Sequence, residues 1–96
     1  MYGRLTIIQA RPEDRAKMEA IADRNAPTLR GLKGFRDVKF FVDEQAGVYG
    51  SFSFWESKED ADAAGAAMNP RVQQAMAELG VREPRITTVE IYEPRA

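Results

Sequence analysis

The chain has 96 residues, with 14 Lys and Arg against 15 Asp and Glu, so its formal net charge is −1. This length fits a single domain spanning residues 1–96, because most domains hold about 50–250 residues. The two signs of charge are interspersed, and no one-sided basic stripe of the kind that neutralises phosphates is present. We therefore expect neither nucleic acid nor an anionic membrane surface as a partner.

Cysteine and histidine are both absent. The lack of cysteine excludes disulfides, thiolate nucleophiles and cysteine metal sites. The lack of histidine removes the commonest general base at neutral pH and the commonest metal ligand, and it excludes a Ser-His-Asp hydrolase. We expect no metal site, and any acid–base chemistry must use Asp, Glu, Tyr, Lys or a group on the substrate.

The N-terminus runs directly into a strand-like segment, without the charged start and apolar run of a signal peptide. No stretch approaches the roughly 18 apolar residues of a membrane helix. A cytoplasmic location is the expectation that follows.

The first half of the chain predicts a strand, a helix and a second strand. Residues 2–9 are rich in β-branched side chains, which is typical of a strand. Pro12 and the acids after it mark a helix start, and Pro27 predicts a kink or an early end of that helix. Residues 35–43 form the second predicted strand, after a turn that contains glycine.

The second half predicts a strand, a helix and a last strand. Residues 48–55 alternate cleanly between two sets of side chains, as a strand does. Ser57 is a predicted N-cap, Asn69-Pro70 is predicted to restart the helix, and Gly80 is a predicted stop. Residues 86–92 form the last strand.

The element order β-α-β-β-α-β predicts an α+β, ferredoxin-like fold with a four-stranded antiparallel sheet. Two helices cover one face of such a sheet, and the other face must meet water, a ligand or another sheet. We predict that this second face is not plainly polar and carries large aromatic side chains among polar ones, although a one-residue error of register would exchange the two faces. Its predicted members are Thr6, Phe41, Tyr49, Ser51, Ser53, Trp55, Thr88, Glu90 and Tyr92.

Large aromatic side chains on an exposed sheet face usually mark an interface or a pocket. We therefore predict a homodimer in which two such sheets pack face to face. The same packing leaves room for a cavity between sheet and helices, lined by aromatic side chains and a few polar groups, which suits a small-molecule ligand.

Two segments carry a resemblance to a known family. Residues 54–61, Phe-Trp-Glu-Ser-Lys-Glu-Asp-Ala, resemble the third strand and capped helix of the antibiotic biosynthesis monooxygenase domain family, which belongs to the dimeric α/β-barrel superfamily. The turn at residues 31–35 is similar to that family's entry into its second strand. The resemblance implies a homodimer with a cavity in each subunit.

Members of this family include oxygenases that act on polyketide quinols and anthrones without metal or flavin, haem-degrading proteins and isomerases. Many relatives carry a histidine in the helix after the tryptophan, in the region of Ala64 here, and in haem-degrading members a helix histidine ligates iron. This chain has no histidine, so haem degradation by that route is not expected. The resemblance implies a monooxygenase without a cofactor, acting on a small aromatic or quinol-type substrate.

The predicted catalytic residues are Trp55, Tyr49, Tyr92 and Glu90. The resemblance implies that the indole of Trp55 stacks on a planar substrate, although a large core side chain at a strand end fits the same pattern. The tyrosine hydroxyls could donate to a developing oxyanion or lie at an interface. A partly buried Glu90 could act as a base, and it could equally pair with an arginine, of which Arg4 is the nearest in-sheet candidate.

Most of the predicted substrate-binding residues lie on strands, at positions that our registers place facing the cavity. One lies on the first helix. Asn25 interrupts the apolar stripe of that helix and either points into the cavity or lies at the stripe's edge. The full predicted set is Arg4, Thr6, Asn25, Phe41, Ser51 and Ser53.

Three functions are compatible with these residues. The first is a monooxygenase in which a quinol or anthrone ionises and passes an electron to dioxygen. The second is a dimeric module that binds a small hydrophobic ligand without turnover. The third is an isomerase or cyclase of related intermediates, with Glu90 as the base.

Overall fold

Four strands and two helices follow one another in the predicted order in the computed structural model, which describes residues 1–95. A short 3-10 turn, Pro12–Asp14, leads into the first helix. The elements are β1 (Tyr2–Gln9), α1 (Arg15–Arg30), β2 (Phe35–Asp43), β3 (Val48–Trp55), α2 (Lys58–Leu79) and β4 (Arg85–Glu90).

The strands form one antiparallel sheet in the order β2-β3-β1-β4, which confirms the α+β ferredoxin-like fold. β1 and β3 are the central strands and pair along their whole length, from Tyr2 opposite Trp55 to Gln9 opposite Val48. β2 and β3 follow each other in sequence and pair directly, whereas β1 and β2 are separated in the sheet because α1 carries the chain across it.

Local signals at the ends of α2 act as predicted. The Ser57 hydroxyl accepts a hydrogen bond of 3.1 Å from the backbone N–H of Asp60, which satisfies one of the unpaired donors of the first turn. Gly80 ends the helix with φ 66°, a left-handed conformation that glycine adopts without steric cost.

The two prolines interrupt the helices less than the sequence predicts. α1 continues past Pro27 to Arg30, and α2 runs unbroken through Pro70. Leu29 lies beyond the first proline and is buried, and Met68 and Ala75 are buried on either side of the second. Tertiary packing of these side chains stabilises the helix across a missing backbone hydrogen bond. The predicted restart at Asn69 is therefore wrong.

The core between sheet and helices forms two clusters. One surrounds Trp55 near the start of α2, and the other lies around Ile8 near its end. The first contains Leu29, Val38, Trp55, Ala61, Ala64 and Met68, and the second contains Ile8, Ile21, Ala75, Met76 and Leu79.

The helix-facing side of the sheet carries most of the aromatic and hydroxyl side chains that we predicted for the opposite face, and Phe41 is an exception that lies where it was predicted. Trp55 packs against the helices, and the pairing of Tyr2 with Trp55 places every second residue of β1 and β3 on that same side. The partition of β3 into two sets was predicted correctly, but the assignment of those sets to the two faces was wrong. The residues moved by this correction include Thr6, Tyr49, Ser51, Ser53 and Trp55.

The outer face of the sheet is the phenylalanine-bearing one. Phe52 and Phe54 stack there with ring centroids 4.8 Å apart, and the Phe52 ring covers Gly3, where a Cβ atom would clash with it. Phe41 covers Gly50 in the same way. Leu5, Ile7, Val89 and these three rings make up what we call the outer apolar face.

A buried carboxylate secures the connection from β1 to α1. Asp14 is 1% exposed and accepts three hydrogen bonds of 3.1 Å from Arg11, from its backbone N–H and from two guanidinium nitrogens. These bonds hold the pKa of the Asp14 carboxyl below its ordinary value of 3.8. The largest effect comes from the side chain of Arg11, and the next from the backbone N–H of Arg11.

Acidification tests this interaction. Because the pKa of Asp14 is lower in the folded chain than in the unfolded chain, its contribution to stability is complete above the ordinary value of 3.8 and is lost as the pH falls through the folded pKa. We expect the free energy of unfolding in urea to fall less steeply on acidification in Asp14→Asn than in the unmodified protein.

Arg11→Gln should flatten the same profile, because it removes the side-chain donor while it leaves the carboxyl in place. Parallel profiles for all three proteins would contradict this account of Asp14.

Candidate functional site

A cavity of about 310 Å3 lies between the helix-facing side of the sheet and the two helices. This volume is at the lower end of the roughly 300–1,000 Å3 of small-molecule sites. Its walls are mainly aliphatic, and its polar groups come chiefly from β1 and β3. The aliphatic members include Ile8, Met18, Ile21, Leu29, Met68, Val72 and Met76.

The cavity exists because the centre of the sheet carries short side chains. Thr6 lies opposite Ser51, and Arg4 lies opposite Ser53, all on the helix-facing side. Bulky Trp55 and Tyr49 occupy the two ends of the same row on β3. Between them the hydroxyl side chains leave the space that larger core residues would fill.

Three of the polar groups have no hydrogen-bond partner within the described part of the chain. The hydroxyls of Thr6 and Ser51 and the guanidinium of Arg4 make no hydrogen bond to residues 1–95, and all three line the cavity. Burial lowers the pKa of Arg4 from its ordinary value, and the charge of Asp62 opposes that shift. These groups are available to a ligand.

Trp55 itself is fully enclosed. Its side chain is 0% exposed, it is not part of the cavity wall, and Phe35 meets it edge-on at 5.6 Å between ring centroids. The indole N–H donates a hydrogen bond of 2.9 Å to the Ser53 hydroxyl, which in turn donates to the backbone oxygen of Arg4 at 3.4 Å. The expectation that the indole faces the cavity is therefore corrected: Trp55 reaches it only through Ser53.

Tyr49 lines the cavity with its ring, and its hydroxyl is already bound. The hydroxyl donates to the backbone oxygen of Arg11 at 2.7 Å and also lies 3.2 Å from that of Pro12. Burial, and then the nearby Glu44 and Asp14 carboxylates, raise the pKa of this phenol. Tyr49 thus anchors the connection before α1 to the cavity wall.

Asn25 and Phe41 both border the cavity, but they differ in what they present to it. The Asn25 side-chain oxygen accepts a hydrogen bond of 3.3 Å from Arg71, which links α1 to α2. Phe41 borders the cavity as part of β2, while its ring covers Gly50 on the outer apolar face.

Glu90 and Tyr92 lie away from the cavity. The Glu90 carboxylate is exposed and accepts a hydrogen bond of 3.4 Å from the Tyr2 hydroxyl, and Tyr2 is also its partner in the sheet register. Arg4 lies opposite Thr88, so the predicted pair of Glu90 with Arg4 does not form. Tyr92 follows β4 and is 75% exposed.

Sequence reasoning missed the residues at the mouth of the cavity. Arg15 bridges Glu19 on α1, at 3.4 Å, and Glu44 in the β2–β3 connection, at 3.2 Å. Phe40 lies beside them on β2 and is 46% exposed although it faces the helix side. The one feature of the sequence that could have indicated an ion pair here is the spacing of Arg15 and Glu19, which lie four residues apart on one helix face.

Two further observations concern the described residues 1–95. They contain no group of three or more acidic side chains placed to hold a metal ion. None of the helices among them combines the length and the apolar character that a membrane span needs.

Solved structures share this architecture over nearly the whole chain. An antibiotic biosynthesis monooxygenase assigned in Deinococcus radiodurans is 19% identical, with a TM-score of 0.82 over 100% of this chain and 97% of that one. A monooxygenase of Streptomyces coelicolor in complex with nanaomycin D is 13% identical, with a TM-score of 0.79 over 99% and 90%. SnoaB, a cofactor-independent oxygenase of Streptomyces nogalater, is 13% identical, with a TM-score of 0.75 over 97% and 94%.

At these identities the likeness establishes the fold. No curated protein is similar enough in sequence to match the chain. A family model does match, and it is described as antibiotic biosynthesis monooxygenase and covers residues 1–78. Since that match spans most of the sequence, the chain belongs to the antibiotic biosynthesis monooxygenase family.

Proposed function

We propose that this protein is a cofactor-independent monooxygenase that oxidises a small aromatic, quinol-type or anthrone-type substrate in its cavity. The observation that carries the proposal is the cavity itself. It is lined by aliphatic side chains, with unpartnered Arg4, Thr6 and Ser51 on its floor. Apolar walls with a few placed polar groups are the usual composition of small-molecule sites.

The relatives support the reaction class. Both the Streptomyces coelicolor monooxygenase bound to nanaomycin D and SnoaB, a cofactor-independent oxygenase, share this fold. Nanaomycin D is the ligand of the first protein, and we transfer to this chain only the general class of aromatic, quinone-related molecules.

The proposed reaction needs no group beyond substrate and dioxygen. An anthrone-type substrate loses a proton from its ring CH2 and becomes an enolate. The enolate passes one electron to dioxygen, and the two radicals combine into a peroxide. Loss of water from the peroxide leaves a carbonyl, so that one oxygen atom enters the product and the other leaves as water.

The chain contributes binding and electrostatics to this sequence. The positive guanidinium of Arg4 stabilises the enolate, and the hydroxyls of Thr6 and Ser51 are placed to hydrogen-bond the substrate oxygens. Trp55 acts as a positioning residue, because its indole holds Ser53 and, through it, the backbone at Arg4. Glu19 is the only carboxylate that lines the cavity among the described residues, which makes it a better placed base than Glu90.

We propose a homodimer that forms through the outer apolar face. Phe41, Phe52 and Phe54 lie on it, and neither helix found among residues 1–95 covers this side, since both pack against the Trp55 side. A sheet buries an apolar face against another layer, and a second copy of the same face provides one. The interface therefore uses the phenylalanine face, opposite to the tyrosine and tryptophan row.

A binding module without turnover is the second candidate, and one observation favours it. The polar groups of Tyr49 and Trp55, two of the predicted catalytic residues, are already bound within the protein. Saturable binding of a quinone with no oxygen uptake from the matching quinol would establish this function in place of the first.

Filling the cavity tests the site of reaction. Ala22 lies on α1 in the cavity wall and is half-buried, whereas Ala20 lies on the same helix, exposed and outside the wall. We expect Ala22→Phe to reduce oxygen uptake with an anthrone by at least about tenfold, because the ring occupies the substrate's volume.

Ala20→Phe is the matched control, since it adds the same ring to the same helix and should leave oxygen uptake unchanged. Equal uptake by both variants would place the reaction outside this cavity.

Trp55→Phe separates a positioning role from direct stacking on the substrate. The variant leaves Ser53 without its buried donor and opens a small void, so we expect the free energy of unfolding to fall by roughly 2 kcal/mol. Below its melting transition the variant should keep oxygen uptake within several-fold of the unmodified protein, because the indole is not part of the cavity wall.

Phe35→Leu controls for the loss of packing, since it removes the edge-on neighbour of Trp55 and leaves the Ser53 hydrogen bond intact. A loss of uptake in folded Trp55→Phe of a hundredfold or more, absent in Phe35→Leu, would restore the tryptophan to a direct catalytic role.

Sedimentation velocity tests the dimer. Phe54→Glu places a charge within the proposed interface, and burial of an unpaired charge is costly enough to prevent association. Ala63→Glu adds the same charge at an exposed position of α2. We expect a dimer for the unmodified protein and for Ala63→Glu, and a monomer for Phe54→Glu. A monomeric unmodified protein at high micromolar concentration would refute the proposed interface.

A further inference from the structure

The geometry of Arg4 points to a specific class of ligand: we infer that the cavity selects aromatic molecules carrying one anionic oxygen group, which pairs with this guanidinium. The inference rests on the proposed function and adds the charge state of the ligand and its orientation in the cavity. A ring system of the same size that can neither carry nor form such an anionic oxygen is then the weaker ligand.

The first observation is that Arg4 is half-buried and has no carboxylate partner. Within residues 1–95 no acidic oxygen lies within ion-pairing distance of its guanidinium, and its side chain makes no hydrogen bond to the protein. The exposed arginines differ from Arg4 because water solvates their charge, whether they are unpaired among residues 1–95, as Arg30, Arg82 and Arg85 are, or paired with a carboxylate. The pairs are Arg11 with Asp14, Arg15 with Glu19 and Glu44, Arg24 with Glu78, and Arg36 with Glu56.

A buried charge without a partner is costly, so its retention needs a compensating interaction. Arginine does not escape that cost by deprotonation, because a guanidinium stays protonated in proteins. Asp62 on α2 is near enough to act on the charge, but it forms no ion pair with it. Asp62 bonds to Lys58 instead, at 3.2 Å.

The second observation is that α2 makes room for the guanidinium. Gly65 lies on the helix where a Cβ atom would come within 3.0 Å of the Arg4 Nε and 3.2 Å of one of its terminal nitrogens. Glycine inside a helix lowers the stability of that helix relative to alanine. The close approach of Arg4 gives a steric reason for glycine at this position.

The third observation is the surrounding chemistry. Thr6 and Ser51 offer free hydroxyls two residues further along the same face, and Met68 and Leu29 provide apolar wall. A ring system on that wall would place an ionised hydroxyl or carboxylate at Arg4 and a second oxygen at the hydroxyl pair. Arginine binds such oxygens in a planar, two-bonded geometry.

A matched pair of quinones tests the inference by binding alone. Lawsone, a hydroxynaphthoquinone, is an anion at neutral pH, and menadione replaces that hydroxyl with a methyl group and is neutral. We expect the unmodified protein to bind lawsone at least about tenfold more tightly than menadione in isothermal titration calorimetry, because a hydrogen bond to a charged group is worth about 1.5–3 kcal/mol, and 1.4 kcal/mol is tenfold.

Arg4→Gln should remove this preference and leave the affinity for menadione within about twofold, since it keeps a polar side chain of similar length and deletes the charge. Arg4→Lys should keep most of the preference. Arg15→Gln is the matched control: it removes the same charge from the same cavity, but Arg15 is exposed and already bound to Glu19 and Glu44, so lawsone should still bind preferentially.

The outcomes separate this inference from the proposed function. Equal affinity of the unmodified protein for the two quinones overturns the role of Arg4 and leaves the proposed cavity standing. An equal loss of lawsone affinity in Arg4→Gln and Arg15→Gln also overturns it, because general electrostatics would then explain the preference. Failure of both quinones to bind would reject the inference together with the proposed site.

The comparison of lawsone with menadione in the unmodified protein does not depend on any variant that might unfold. Circular dichroism and a melting curve for each variant establish that the remaining comparisons concern folded proteins. Gly65→Ala adds a methyl group against the guanidinium while keeping the charge, and we expect it to weaken lawsone binding severalfold without affecting menadione.

Discussion

The hydrogen bond from the buried Trp55 indole to the Ser53 hydroxyl determines how the sheet meets the helices. Trp55 ends β3 among side chains of α1 and α2, and its N–H finds a partner two residues back on the same face. A buried indole needs such a partner, because an unpaired donor costs free energy. With Trp55 on the helix side, the period of two in a strand places Ser51 and Tyr49 there as well. The position of Trp55 therefore determines which residues of β3 form the cavity floor.

The same alternation explains what could and could not be predicted from the sequence. Alternate residues of the segment 48–55 form one set that contains the phenylalanines and another of serine, tyrosine and tryptophan. The two sets lie on opposite faces of the sheet, as predicted. The side of each set depends on contacts with helices distant in sequence. The phenylalanine set is the more apolar and fits a core better by local rules. In the structure the set that contains the serines faces the helices instead. A cavity, and not a fully packed core, occupies the centre of the space between sheet and helices. Conflicts between local pattern and global structure are expected where function requires space.

The bounds of β1, β2 and β3 and the caps of α2 were predictable because their causes are local, whereas β4 ends at Glu90 and not at the predicted Tyr92. The Ser57 cap and the Gly80 stop depend on a few neighbouring residues, and both are present. The path of α2 through Pro70 depends instead on Met68 and Ala75, which are buried on the surrounding turns. The mouth of the cavity was not predictable either. It forms where α1 passes β2, and nothing within either element indicates that Phe40 comes to lie beside Arg15.

Each of the two central strands places side chains on both faces of the sheet. The outer apolar face and the cavity floor therefore share the backbone of β1 and β3. On β3, Gly50 lies under the Phe41 ring on the outer apolar face, and the next residue, Ser51, lies on the cavity floor. A Cβ atom at Gly50 would clash with the backbone oxygen of Thr6 as well as with that ring, so β1, β3 and the aromatic layer are in close contact at this point. Packed layers of this density transmit displacement over short distances. In the proposed dimer, a second copy seated on the phenylalanine rings would therefore restrain the backbone that presents Thr6 and Ser51, which links the outer apolar face to the cavity floor.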